Sequence, residues 1–381
     1  MSLKDFIKRE KIFSFIFLFS LLATLRTLII PLQGDELTYS EIADNILLGK
    51  YYFSGNPSTV TPVIPFILAF FKISTVPTLG FVLGKLLHIL LTILGFRYLY
   101  LFLAQQNIDF RVILSIMALT AVNSHAISFF PGLYPEAILF FAFWGFMYYF
   151  NTAYTQQNLL KLFALFLLLA MTRYLYLVMG VLVVYHFYEY YKKHSLRNIY
   201  SLLPYLLLLI LPFVFWFKYV YHIEQNNVSE ISYFDRFKSE NPFLYNIKAG
   251  LGLIKHYEVS RTNGIPAFIS LFVPVTGLRN FLGSLFLIIS FILGYLVTKK
   301  TKGMKWLFIS ILLVMAGLIV AGTGFSRYWL ILLPGFLTGY YFLSSKLTIG
   351  TKWFVTGSQI LCFVYLLNEL RLNVVLLHTY F

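Results

Sequence analysis

Runs of roughly 20 leucine-, phenylalanine- and isoleucine-rich residues recur from one end of the chain to the other, separated by short polar or basic stretches. A helix of that length covers the ~30 Å of hydrocarbon in a bilayer. The runs lack the alternation of barrel strands, so the pattern predicts an all-α polytopic membrane protein. With residues 1–11 placed in the cytoplasm and the sides alternating, about eleven spans follow. They are 12–31, 79–104, 111–130, 136–153, two short crossings within 159–191 broken near Thr172-Arg173-Tyr174, then 199–221, 278–298, 306–322, 329–343 and 353–370.

Residues 32–78 form the first outer loop and carry two interfacial elements. GDELTYSEIADNILLGKYYF reads as a short amphipathic helix, with Leu37, Ile42, Ile46 and Leu47 near one face and Glu41, Asp44 and Asn45 on others, a pattern suited to lying flat on a membrane. TPVIPFILAFFKI is apolar for too few residues to cross, which favours an interfacial or re-entrant segment. A second outer loop, 222–266, is long enough to be functional. The chain 1–381 shows no internal repeat and reads as a single integral membrane domain.

Composition sharpens this picture. Of 381 residues, 59% are hydrophobic and 12% charged, whereas a soluble domain has roughly a quarter charged. The net charge of +15 partly reflects Lys and Arg gathered on the inner side, most strongly at Lys299, Lys300, Lys302 and Lys305. The first apolar run is too long for a signal peptide and lacks a small-residue cleavage site, so it reads as an uncleaved span. Cys362 is the only cysteine, and His125 and His222 are isolated, so no disulfide framework, metal or other cofactor is expected, nor a nucleic-acid partner.

The chemistry begins at Asp35-Glu36, directly after the first span. Carboxylates beside lipid must be wet, paired or catalytic, because burying one alone costs several kcal/mol or more. Either residue would serve as a general base for a hydroxyl; equally, Asp35 would cap the following helix. Arg173 stands between two apolar runs, and Arg327-Tyr328 follows Gly322, Gly324 and Ser326. Both arginines suit phosphate through charge-assisted bonds, or snorkel to the interface. Glu136 opens a span after Phe130-Pro131-Gly132-Leu133-Tyr134-Pro135, where it either stabilises the helix N-terminus or binds substrate. Arg236, Lys238, Lys248, Lys255, His256 and Arg261 stand among Tyr233, Phe234 and Tyr257 in the second loop, offering sites for phosphate or sugar, or only a soluble surface. On the eleven-span topology all these groups emerge on one face.

GDELTYSEIADNILLGKYYF followed by TPVIPFILAFFKI, then Phe130 to Glu136, AMTRYLYLVMGVLVV and SRYWLILLPGFLTGY, in this order, resemble the GT-C superfamily of polyprenyl-phosphate-sugar glycosyltransferases. The likeness is to the protein O-mannosyltransferase and lipid A aminoarabinose transferase branch. It implies a GT-C-like bundle with Asp35 as catalytic carboxylate and Glu36 as its partner. Arg173, Arg327 and Tyr328 would lie near the donor phosphate, with Tyr134, Glu136 and Arg261 as candidate substrate-binding residues. Tyr174 departs from the proline that often follows Thr-Arg in that family, and Thr61-Pro62 lacks the usual double proline. The implied activity is transfer of a monosaccharide from a polyprenyl-phosphate donor to a hydroxyl on an envelope lipid, glycan or protein. The implied place is the outer face of a bacterial inner membrane, and direct displacement would invert the anomeric centre. Two other readings stand beside it: an O-antigen polymerase or ligase with a glycan-diphosphate donor, and a lipid-linked sugar transporter or flippase, which would need groups accessible from both faces.

Overall fold

The computed structural model describes residues 3–74, 76–193, 196–226, 241–255, 262–274, 277–298, 301–322, 324–347 and 350–380. Tyr233, Phe234, Arg236, Lys238, His256, Tyr257, Arg261, Lys299 and Lys300 fall outside these residues. Apart from one two-stranded ribbon, Tyr52–Phe53 against Asn56–Pro57, the described residues are all-α.

Among the described residues, five helical stretches are long and apolar enough to cross a membrane: Lys11–Leu28, Thr78–Gln105, Tyr200–Gln225, Lys302–Val320 and Gly350–Leu376. Five further apolar helices are shorter, at 10–17 residues. One shortening has a clear cause. The stretch expected as a single span over 111–130 is two helices, Phe110–Ala121 and Ser124–Phe129. Asn123 divides them: its side chain accepts from the His125 N–H at 3.0 Å and donates to the Leu271 carbonyl at 2.7 Å. A polar side chain with its own backbone partners thus opens a new helix instead of extending the old one. The last helix runs through Gly350–Tyr380, past the expected end at residue 370. Beyond that point Asn373 accepts from the Arg26 guanidinium, which also pairs with Glu369 at 2.6 Å.

The described chain divides into two compact units, each assembled from separate stretches. The first comprises Met1–Ile29, Tyr100–Pro131 and Asn246–Phe381. Its core is aromatic: Phe268 lies edge-on to Trp329 and Phe336, with centroids 5.5 and 4.9 Å apart, and Phe291 packs on Phe336 at 5.0 Å. Here Phe281–Val297 and Leu333–Lys346 approach so closely that a Cβ on Gly294 would overlap the Gly339 carbonyl oxygen. Small residues at a crossing of apolar helices allow this backbone contact.

The second unit comprises Ile30–Leu99 and Gly132–Tyr245. Helix Asp35–Leu47 packs on Val63–Ser74 through Tyr39, Ala43, Ile64, Leu68 and Ala69, and Leu133 and Ile138 close the cluster. Buried Lys72 fastens the two helices by donating to the Ser40 carbonyl and hydroxyl, both at 3.1 Å, and to Asp44 at 2.6 Å. The amphipathic face differs from the expected one. Glu36, Tyr39, Ile42 and Ala43 turn inward, whereas Leu37 and Leu47 are exposed. Packing against Val63–Ser74 selects a stripe that includes a carboxylate, which hydrophobic periodicity does not register.

Candidate functional site

The second unit holds most of the sequence-derived candidates, and Asp35, Glu36 and Tyr134 share one turn. Gly34 precedes helix Asp35–Leu47 with φ +53° and ψ −125°, a conformation essentially restricted to glycine. The turn is closed by the Glu36 N–H bonding the Gln33 carbonyl and the Leu37 N–H bonding the Gly34 carbonyl, each at 3.1 Å. Asp35 and Glu36 then occupy the first helical turn, where negative charge complements the positive end of the helix.

The two neighbouring carboxylates have different surroundings. Glu36 is buried, and both its oxygens accept backbone N–H groups: Oε2 from Gln33 at 2.9 Å and Oε1 from Leu133 at 2.8 Å. It ties the helix start to the segment that leads into Glu136–Phe150. Asp35 remains half-exposed. Tyr134 braces the same turn, its hydroxyl donating to the Gln33 carbonyl at 2.8 Å. Gly132 makes room for this arrangement, since a Cβ there would lie 2.7 Å from the Tyr134 ring and 3.3 Å from Glu36 Oε1.

Sequence reasoning missed a third brace. Lys85 is buried within the long helix Pro77–Gln105, donates to the Ile30 carbonyl at 2.8 Å, and interacts electrostatically with Glu36. The signal was present in the sequence: a lysine inside an apolar run is by default a candidate functional residue. One turn along, His88 is fully buried on the same helix. Tyr51, on the loop after the first helix of this unit, donates to the Val60 carbonyl at 2.8 Å, and burial pushes its phenol well above its ordinary pKa. It therefore serves as a donor rather than a base.

Glu136 and Arg173 meet in the same unit. Pro135-Glu136 starts helix Glu136–Phe150, leaving the fully buried carboxylate 3.2 Å from Arg173 Nη2. Arg173 adopts an extended conformation, φ −152° and ψ 123°, which ends helix Gln156–Thr172 and lets a short 3₁₀ segment, Tyr174–Met179, begin. The expected break therefore lies at Thr172-Arg173. Tyr174 opens that 3₁₀ segment. Its hydroxyl donates to the Thr59 carbonyl at 2.9 Å and accepts from Trp216 Nε1 at 2.8 Å.

Arg327 and Tyr328 belong to the first unit. The Arg327 guanidinium stands over the rings of Tyr328, Phe129 and Phe325, 5.1, 5.4 and 5.9 Å from their centroids, and donates to the Tyr328 hydroxyl at 3.3 Å. The guanidinium is half-exposed and flanked by aromatic rings. Another arginine in this unit, Arg279, grips Asn263 Oδ1 through Nε and Nη2 at 3.1 and 2.9 Å. Among the described residues, no group of three or more His, Cys, Asp or Glu side chains is placed to hold a metal ion.

Replacement of Gly34 by Ala tests how firmly the turn is held. A Cβ at Gly34 would meet only the Tyr134 hydroxyl, at an ordinary 3.8 Å, so the penalty is purely conformational. The expected loss is about 1–3 kcal/mol in equilibrium unfolding. An unchanged unfolding midpoint would mean that the turn relaxes without cost.

No family model, curated protein or solved structure matches the chain.

Proposed function

We propose that the protein is a membrane glycosyltransferase that moves a monosaccharide from a polyprenyl-phosphate donor to a hydroxyl acceptor. The observation that carries this reading is the half-exposed Asp35 on a turn braced by buried Glu36, Tyr134 and Lys85. A general base needs a fixed carboxylate reachable by substrate, and a rigid surround sets its direction. Asp35 removes the acceptor proton, the acceptor oxygen forms a bond to the anomeric carbon, and the carbon–oxygen bond to the phosphate breaks with its electron pair leaving on the phosphate. The anomeric configuration inverts. Glu36 acts as a positioning residue rather than a second base, because both of its oxygens are engaged by backbone. Arg173 would meet the departing phosphate, and Tyr134 or Glu136 the sugar.

The finer architecture belongs to the same proposal. Short apolar helices such as Phe110–Ala121 and Gln156–Thr172 would join with their neighbours to complete about eleven spans of a GT-C-like bundle. Asp35 would then face the outside of a bacterial inner membrane.

A transporter reading retains one specific support. Arg26 and Glu369 form an ion pair within two of the long apolar stretches, Lys11–Leu28 and Gly350–Leu376. Charged pairs within apolar helices often mark transport pathways. The donor separates the readings. Purified protein given radiolabelled polyprenyl-phosphate sugars and membrane extract is expected to yield labelled lipid, glycan or protein. Product only from diphosphate-linked oligosaccharide would point to a polymerase or ligase, and movement of label across vesicles without transfer would point to a transporter.

A further inference from the structure

The second unit carries a hollow that the Asp35 turn does not use, where helices Gln156–Thr172, Gly180–Lys193 and Leu196–Gln225 meet. Its volume is about 350 Å³, within the ~300–1,000 Å³ of small-molecule pockets. Leu159, Tyr190 and Leu202 form a buried floor, and exposed Val184, Tyr188 and Tyr191 stand along its edge. Every lining side chain is aliphatic or aromatic. Gln156 Nε2 donates to Ser201 Oγ at 2.8 Å and ties two of the three helices together.

The rim of this hollow is basic. Helix Gly180–Lys193 ends on Lys192 and Lys193. Lys192 Nζ stands 4.2 Å from the centroid of Tyr188, a ring of the edge, and Lys193 Nζ stands 3.9 Å from that of Tyr154, which packs against the floor. A ring beneath each ammonium favours keeping the charge beside the hollow. Glu189 faces the same rim, acting on Lys192 and on Tyr154. Neither lysine forms a salt bridge among the described residues, so the rim keeps a net positive charge. Lysines in a last turn also complement the helix dipole, which accounts for their place on the helix but not for the apolar hollow beside them.

The two halves suit one amphiphile. In a bilayer, hydrocarbon fills an apolar hollow on a helix surface, and a cationic rim beside it favours a headgroup of negative charge. Tyrosines at the edge fit the boundary, with the ring toward the chain and the hydroxyl toward the headgroup. A free anion would leave the hollow empty, and a neutral lipid would leave the lysines without a counter-charge. We infer that this hollow binds an anionic phospholipid, its acyl chain against Leu159, Tyr190 and Leu202 and its phosphate at Lys192 and Lys193. On the eleven-span topology both lysines lie on the cytoplasmic side, so the lipid belongs to the inner leaflet. The inference is independent of the glycosyltransferase reading, because no residue of the Asp35 turn takes part.

Native mass spectrometry of the full chain in detergent tests it by comparing retention of phosphatidylglycerol with that of phosphatidylcholine carrying the same acyl chains. The rim variant is Lys192→Gln/Lys193→Gln, and Lys346→Gln/Lys352→Gln is the control for generic basic charge. Val184→Trp places a large ring over the hollow and leaves the buried floor intact. All the substituted residues are exposed, so the fold is kept. Wild type is expected to prefer phosphatidylglycerol, with the preference falling about tenfold in the rim variant and persisting in the control. Val184→Trp is expected to lower retention of phosphatidylglycerol severalfold. Equal retention of both lipids by wild type, equal loss in both double variants, or undiminished retention in Val184→Trp overturns the site. Wild-type dimers that separate in Val184→Trp, with no lipid preference, would overturn it in favour of a second copy of the chain.

Discussion

Replacing Asp35 by Asn is expected to reduce sugar transfer by roughly a hundred- to ten-thousand-fold, the usual contribution of a general base. The same change is expected to leave the fold in place. Asn keeps the shape of Asp, and Asp35 is half-exposed at the helix start, where its charge–dipole interaction is worth about 0.3–1 kcal/mol. The turn itself is held elsewhere, by the backbone of Gly34, the two carboxylate bonds of Glu36 and the Tyr134 hydroxyl. The adjacent Glu36→Gln variant is the informative contrast. Its amide nitrogen would face one of two backbone N–H donors, so a buried donor loses its acceptor at a cost of about 1–3 kcal/mol. Asp35→Asn should therefore separate activity from stability, and Glu36→Gln should lower stability first. Measured side by side by labelled transfer and equilibrium unfolding, full activity in Asp35→Asn would sink the catalytic assignment. Unaltered stability in Glu36→Gln would remove the brace.

That contrast marks where the sequence stops being readable. Helix Asp35–Leu47, the pause at Thr172-Arg173 and the short segment after Pro62 are all local: a glycine before two acidic residues, a polar pair in an apolar run, and a run too short to cross. Local composition decides them, so they are legible. The burial of Glu36 depends on the Leu133 N–H, 97 residues away, and the division at Asn123 depends on the Leu271 carbonyl, 148 residues away. Neither partner announces itself, because a backbone group is the same in every residue. Periodicity assigned Leu37 to the apolar face, yet a carboxylate with two backbone donors is inexpensive to bury, and the helix rotates its Glu36 side inward. Lys85 and Lys72 carried a sequence signal that hydropathy averages away. Each is a cation within an apolar run, and each holds a strut of the turn-bearing helix or its approach.

The second large effect concerns Glu136 and Arg173, where stability and chemistry can be separated by a double-mutant cycle. Glu136 is fully buried, and the Arg173 side chain is only 16% exposed. Arg173→Met would leave a buried carboxylate without its cation, which typically costs about 3–5 kcal/mol. Glu136→Gln is expected to cost less, because a long guanidinium side chain can redirect its head toward solvent. In the double variant Glu136→Gln/Arg173→Met neither charge is stranded, so much of the lost stability should return, as it commonly does when both members of a buried pair are neutralised. Transfer need not follow. If Arg173 also stabilises the departing phosphate, the double variant will be stable and slow, because removing the charge from the structural ledger also removes it from the transition state. Return of both stability and transfer would make the pair purely structural and remove Arg173 from the phosphate.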